Sequence, residues 1–259
     1  VDDNKKLTQP TVDAIQAARQ KGVKVVLCTG RPITGVQQYL DQLKLTGPDE
    51  YAITFNGATV QSLDGNIIIN QTLTYDDFLE TELLSRKLNV HYHIETTNAL
   101  YTTNRDQSPY CTAEAFLVRL PVKYRTPEEI SHKLVISKAM FADDPKEISR
   151  IKPLIPAGLK QHLYVVQSEP YFIEMMNKAA SKGNALNSLA QKLGLTAENV
   201  MALGDSGNDL TMIKYAGLSV AMGNATQEIK NNAKFITKTN NENGTAYAIQ
   251  KFALEGNLN

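Results

Sequence analysis

Apolar and polar positions along the chain follow two rhythms, one at each end and another in the middle. Near the start, Val12, Ile15 and Ala18 recur at helical spacing over residues 11–21, and Gly22 supplies the stop. Residues 23–28 form an apolar run broken only by Lys24, the pattern of a parallel strand buried on both faces. Helical spacing returns over 34–45 through Val36, Tyr39, Leu40 and Leu43, and 51–55 is a short strand ending at Asn56-Gly57. From Ser181 the alternation resumes: helix to 193, strand 200–203, helix 209–215, strand 218–221, helix 226–233, strand 234–237. Strands separated by helices of this length predict βαβ units and a parallel sheet.

The middle is richer in strands. Residues 66–73, 90–95, 99–103, 116–120, 134–141, 162–167 and 171–175 have strand character, with helices over 75–88 and 145–155. An α+β module with an antiparallel sheet, inserted between two halves of a parallel domain, accounts for the change. The boundaries expected are 1–72 with 178–259 for the parallel domain and 73–177 for the insertion.

A chain of 259 residues is long enough for two domains, and 42% hydrophobic with 21% charged residues is ordinary for a globular protein. Lys+Arg and Asp+Glu both number 27, so no basic field draws nucleic acid or an anionic membrane. No apolar run approaches the ~20 residues that span a bilayer and no signal-peptide pattern opens the chain, so a cytoplasmic location is expected. Cys28 and Cys111 are too few and too far apart for a disulfide framework or a zinc knuckle, and read as reduced, buried thiols. His91 and His93 share a strand face, but two imidazoles do not make a metal site; with His132 and His162 they read as structural or surface residues.

Candidate chemistry gathers where strands end. The run Val200-Met201-Ala202-Leu203 stops at Gly204-Asp205, and Asn208-Asp209 then opens a helix. Ligands of α/β sheets collect at the carboxyl ends of strands. Two carboxylates and an amide there suit Mg²⁺, which takes one or two carboxylates, waters and a substrate phosphate. Asp205 and Asp209 would serve equally as turn and N-cap residues. In Cys28-Thr29-Gly30-Arg31-Pro32, Thr29 offers a hydroxyl and Gly30 a closely approachable N–H to an anion, although a plain strand-to-helix turn would look the same. Lys182 opens a helix, against the macrodipole, and an ammonium there could neutralise a phosphate held by helix N–H groups; a solvated Lys is the simpler alternative. No P-loop, dinucleotide fingerprint or Gly-x-Ser-x-Gly elbow is present.

Taken in order, Thr29-Gly30-Arg31, Lys182 and Gly204-Asp205-x-x-Asn208-Asp209 resemble the strand-end motifs of haloacid dehalogenase-like (HAD) phosphatases, in the Cof-type sugar-phosphatase branch. Phe55-Asn56-Gly57-Ala58, Pro170-Tyr171-Phe172-Ile173-Glu174 and the stretch from Gly217 to Ala225 extend the resemblance from about Leu7 to the C-terminus. It implies a Rossmann-like parallel-sheet core with an inserted α+β cap, and a Mg²⁺-dependent phosphatase acting on a small phosphorylated metabolite such as a sugar phosphate. By the same resemblance Thr29, Gly30, Lys182 and Asn208 would bind phosphate, and Lys182 and Asp205 would serve catalysis. Asp205, Asp209 and Asn208 would attend the metal, Asn56 and Arg31 would meet the substrate, and residues 222–225 would shape the rim.

One motif of that family is missing. The Asp-x-Asp-Gly-Thr segment, whose first Asp is the nucleophile, has no counterpart, since Asp2-Asp3 lacks both the Gly-Thr and a preceding apolar strand. The expectation is that one central strand of ~5–6 residues and its turn lie upstream of Val1, because removing it would expose two strand edges. The alternatives are a phosphometabolite-binding protein that lost its nucleophile, and a phosphotransferase or mutase using the same site.

Overall fold

In the computed structural model, which describes residues 1–256, the chain divides into two compact units. Residues 1–29, 37–69 and those from Ser181 onward make the first; 30–36 and 70–180 make the second.

The first unit begins with α1 (Gln9–Gln20), which has Pro10 in its first turn and buries Thr11, Ala14, Ile15 and Ala18. Proline fits there because the first N–H groups of a helix have no internal partner. β1 (Val26–Cys28) pairs in parallel with β2 (Tyr51–Thr54), and α2 (Gln37–Gln42) lies between them in the chain. The helix expected over 34–45 is thus shorter, with a 3₁₀ turn at Ile33–Gly35 ahead of it. β3 (Thr59–Ser62) returns antiparallel to β2, and β4 (Ile67–Asn70) closes this sheet in the order β1-β2-β3-β4.

The second unit opens with α3 (Tyr75–Leu88). Thr74 and Asp77 cap it reciprocally, each side chain bonded to the other's backbone N–H. β5 (Tyr92–Glu95), β6 (Leu100–Thr102), α4 (Pro109–Val118), β7 (Val122–Tyr124), β8 (Lys138–Ala142), α5 (Pro145–Ile151), α6 (Ala157–His162), β9 (Leu163–Glu169) and β10 (Phe172–Asn177) follow. Six of these build one sheet, β7-β6-β5-β8-β10-β9, antiparallel except where β6 meets β7. One hydrophobic cluster joins Phe78 of α3 and Ile148 of α5 to Tyr92, Ile94, Phe141 and Ile173 of the strands. A second joins Cys111, Ala115 and Val118 of α4 to Leu100, Met140 and Phe172. Each fully buried large side chain contributes roughly 1.5–3 kcal/mol. Where the chain enters and leaves this unit, Asn177 Nδ2 donates to the Thr72 carbonyl at 3.0 Å.

Residues 116–120 are a correction. Expected as a strand, they instead finish α4 and its cap. Ser108 accepts from the Tyr110 N–H, Pro109 fills the first turn, and Arg119 ends the helix in the left-handed region. A short apolar run does not by itself separate strand from buried helix.

Back in the first unit, α7 (Lys182–Lys192), β11 (Met201–Gly204), α8 (Leu210–Tyr215), β12 (Leu218–Ala221), α9 (Gln227–Asn232) and β13 (Phe235–Ile236) alternate as the pattern predicted. The order β11-β12-β13 is parallel throughout. α10 (Gly244–Ala248), which the pattern did not announce, continues through a π turn at residues 249–254 and packs on α1. Among the described residues β1 and β11 are both end strands, each paired on one side only. Cys28 of β1 packs against the cluster that holds Ala202 of β11.

Charge is buried in the second unit. Lys138 Nζ lies 3.4 Å from Glu95 Oε1, 3.4 Å from Glu114 Oε1 and 3.7 Å from Glu174 Oε2, while His93 Nε2 is 3.5 Å from Glu95 Oε1. Glu95 and His93 come from β5, Lys138 from β8, Glu174 from β10, and Glu114 and Cys111 from α4. Three carboxylates thus face one ammonium, and a protonated His93 offsets part of the excess. Burial alone would lower its pKa, but the adjacent Cys111 and Glu95 outweigh burial and push it up to about 9. Burial raises Glu114 in spite of Lys138, whereas at Glu95 burial, the largest single influence, is outweighed by Lys138 and His93 together, which hold the pKa down. Because the folded state holds the His93 proton more tightly than an unfolded chain would, its contribution is complete below pH ~6.5 and lost as pH rises through about 9. Melting followed from pH 6 to 10 is expected to show this alkaline fall, on the order of 3 kcal/mol at most. A His93→Gln variant should show a flatter profile, and an unchanged one would take His93 out of the balance.

Candidate active site

β11 delivers the chain to Asp205 at its carboxyl end, and the 3₁₀ turn Gly207–Asp209 brings Asp209 back beneath it. Asp209 is buried, 4% exposed, and its Oδ2 accepts from the N–H of Asp205 at 2.9 Å and of Ser206 at 3.0 Å. Its Oδ1 meets Lys182 Nζ at 2.5 Å. The ammonium that the macrodipole disfavours at the start of α7 therefore has a charge partner. Ser181 caps the helix by accepting from the Asn184 N–H at 3.1 Å. Lys182 can sit so close to α8 because Gly183 follows it: a Cβ on Gly183 would lie 2.4 Å from the Thr211 carbonyl oxygen. Gly183 N–H donates to the Thr211 hydroxyl at 3.0 Å.

Asp205 is different in kind. Its carboxylate is exposed and only loosely held, with Oδ1 3.4 Å from the Ser206 hydroxyl and Oδ2 accepting from Asn224 Nδ2 at 3.3 Å. Asn224 is fixed in turn by the Asn240 N–H, which donates to its Oδ1 at 2.9 Å. Asp3 belongs to this side of the molecule: its carboxylate accepts from Asn240 Nδ2 at 2.7 Å and Asn241 Nδ2 at 2.8 Å, and these bonds hold its pKa down.

The β1 end meets the same place. Thr29 N–H continues the parallel ladder to the Ile53 carbonyl (2.8 Å), and its own carbonyl accepts from the Asn56 N–H (3.0 Å). Asn56 Oδ1 accepts from Asn208 Nδ2 at 3.0 Å. Burial pushes the neighbouring Cys28 thiol up to about 12, against the pull of the nearby Lys182 ammonium. Thr29, Asn56, Lys182, Asp205, Asn208 and Asp209 are thus brought together within the first unit. Gly30 and Arg31 lie in the segment 30–36 that groups with the second unit, where Arg31 packs against Gly35. Ser206, Asn240 and Asn241 were not expected here; amides and hydroxyls in loops carry no periodicity that would flag them.

The family described as haloacid dehalogenase-like hydrolase matches residues 1–249. A Bacillus subtilis protein named "Putative phosphatase YxeH" is 42% identical over 255 residues, covering 98% of this chain and 94% of the relative. The 5-amino-6-(5-phospho-D-ribitylamino)uracil phosphatase YcsE of the same organism is 31% identical, covering 98% of this chain and 92% of its own. Among solved structures, a haloacid dehalogenase-like hydrolase from Bacteroides thetaiotaomicron superposes with a TM-score of 0.87 at 27% identity, covering 97% of this chain and 95% of that one. With the family match running over residues 1–249 and relatives named as phosphatases similar over nearly their whole length, the chain belongs to the haloacid dehalogenase-like hydrolases, among the phosphatases of that family.

Proposed function

We propose that this protein is a Mg²⁺-dependent phosphomonoesterase whose substrates are small phosphorylated metabolites of the sugar or polyol class. The observation that carries the reading is the exposed Asp205 carboxylate, set at a strand end above the buried Lys182–Asp209 pair. The name of the relative that acts on a phosphorylated ribityl compound supports the substrate class.

Among the described residues no three His, Cys, Asp or Glu side chains gather as a metal site. Mg²⁺ does not need three, since one or two carboxylates with waters and a phosphate suffice. Asp205, with Asp209 and Asn208 beside it, would hold the ion, which when bound supplies positive charge to the phosphoryl oxygens. The Thr29 hydroxyl and Gly30 N–H would hold the phosphate, Lys182 would oppose the charge that develops on it, and Arg31 would reach the rest of the substrate. The nucleophile would be the first carboxylate of an Asp-x-Asp pair of the kind this family uses. That carboxylate would form a bond to phosphorus as the ester P–O bond breaks, the second giving its proton to the leaving oxygen. Water would then attack phosphorus, returning a proton to that second Asp and releasing orthophosphate. Residues 73–177 would act as a cap that excludes water and selects the leaving group.

A panel of phosphate esters tests the reading on the full-length chain. Orthophosphate release from sugar or polyol phosphates is expected with Mg²⁺ and none with EDTA. Binding without release would favour the non-catalytic alternative, and transfer to an added acceptor sugar would favour a phosphotransferase.

A further inference from the structure

Phe55, Asn56 and Gly57 have φ values of 50°, 55° and 98°. Glycine accepts this left-handed region freely and Asn more readily than most residues, but a bulky aromatic is rarely found there, at a cost on the order of 1–3 kcal/mol. Phe55 is completely buried, so packing holds the turn in place. Strain that persists in a well-packed core is a reason to ask what it positions.

The turn touches three segments that are remote in sequence. The Asn56 N–H reaches the Thr29 carbonyl at the end of β1, and Asn56 Oδ1 holds Asn208 Nδ2, 152 positions away, in the loop after β11. Gly57 lies against the start of α7, where an added Cβ would come within 2.2 Å of the Ser181 carbonyl oxygen, next to Lys182. A relaxed turn would release Asn56 from at least one of these partners. Asn208, which is exposed, has its amide nitrogen held by Asn56, so its Oδ1 has a fixed orientation.

We infer that Asn56 is a positioning residue: the strained turn exists to fix the Asn208 amide beside Asp205 and to tie it to the end of β1. This rests on the proposed phosphatase reading, but assigns Asn56 to the neighbouring side chain, not to the substrate. The nearest precedent in physical terms is the shell around a metal's ligands, where losing one supporting bond costs about 10–100-fold in affinity or activity.

Three variants of the full-length chain test the inference. Asn56→Gly removes the amide while accepting the same left-handed backbone, and the strain at Phe55 stays; it is expected to melt close to the wild-type temperature, to bind Mg²⁺ alone about 10–100-fold more weakly, and to lose kcat by a similar factor with KM little changed. The Asn208 side-chain NH₂ signals in a ¹⁵N NMR spectrum should move to solvent-like positions. Asn56→Asp, which tolerates the same backbone and keeps an acceptor, should retain those signals and most of kcat, whereas Asn56→Ala should lose both and also melt lower. Wild-type Mg²⁺ affinity with unmoved Asn208 signals in Asn56→Gly would overturn the inference, as would a lower melting temperature with kcat unchanged. If the unsubstituted chain hydrolyses no ester, the phosphatase reading fails, while the Mg²⁺ titration, the NMR signals and the melting temperatures still decide the role of Asn56.

Discussion

Asp205→Ala is expected to abolish Mg²⁺-dependent phosphate release, by about 10³-fold or more, and to leave the melting temperature within ~2 °C. The asymmetry follows from its surroundings. Both hydrogen bonds to the Asp205 carboxylate are long, at 3.3 and 3.4 Å, the side chain is exposed, and its loss opens no cavity. Such a substitution changes stability by about 0.5 kcal/mol at most, whereas losing the carboxylate that would hold the ion weakens the positive charge offered to the phosphoryl oxygens at every turnover. Phosphate-release assays at limiting and saturating Mg²⁺, paired with calorimetry, measure the two sides separately. Near wild-type turnover at limiting Mg²⁺ would remove Asp205 from the site.

The second large effect is on Lys182. Its side chain is 7% exposed and its Nζ lies 2.5 Å from Asp209, so Lys182→Met leaves a buried carboxylate without its ammonium. Breaking one side of a buried pair costs about 3–5 kcal/mol, comparable with a large part of a domain's total stability. Catalysis alone cannot then be read from the single variant. Adding Asp209→Asn removes the stranded charge, and an amide oxygen in the place of Oδ2 can still accept both N–H bonds that Asp205 and Ser206 now give to that one atom. The double variant is expected to regain most of the melting temperature and none of the activity, because the ammonium proposed to oppose the phosphate charge is still absent. Recovery of turnover along with stability would mean that Lys182 serves the fold alone.

The alternation at the two ends of the chain was legible because strands buried on both faces and helices of about ten residues write distinct patterns. The strand over 218–221 and the helix over 75–88 fall where the spacing put them. Residues 116–120 went astray because their apolar run is too short to show a period, and the decisive signals, Ser108 and Pro109, lie outside it. At the site, the oddity of a lysine opening α7 and the candidacy of Asp209 were visible in sequence, but the pairing of the two was not. Pairs such as Asn56 with Asn208 or Asn224 with Asp205 join loops far apart in the chain, and hydrogen bonds of that kind leave no local trace. Nor does composition reveal that Glu95, Glu114 and Glu174 converge on one lysine, since β5 and β10 read only as apolar runs with a polar interruption and Glu114 comes from a helix.

The bond between Asn177 and the Thr72 carbonyl spans 105 positions yet lies wholly inside the second unit. Loop-closure entropy grows only as the logarithm of length, so once that seam has formed, lengthening or shortening the excursion between its ends changes the cost by little more than about 0.6 kcal/mol per doubling. The two ends of the excursion thus lie side by side within the second unit. Selection can therefore rewrite or exchange the excursion as a cassette, without renegotiating the sheet from which it departs.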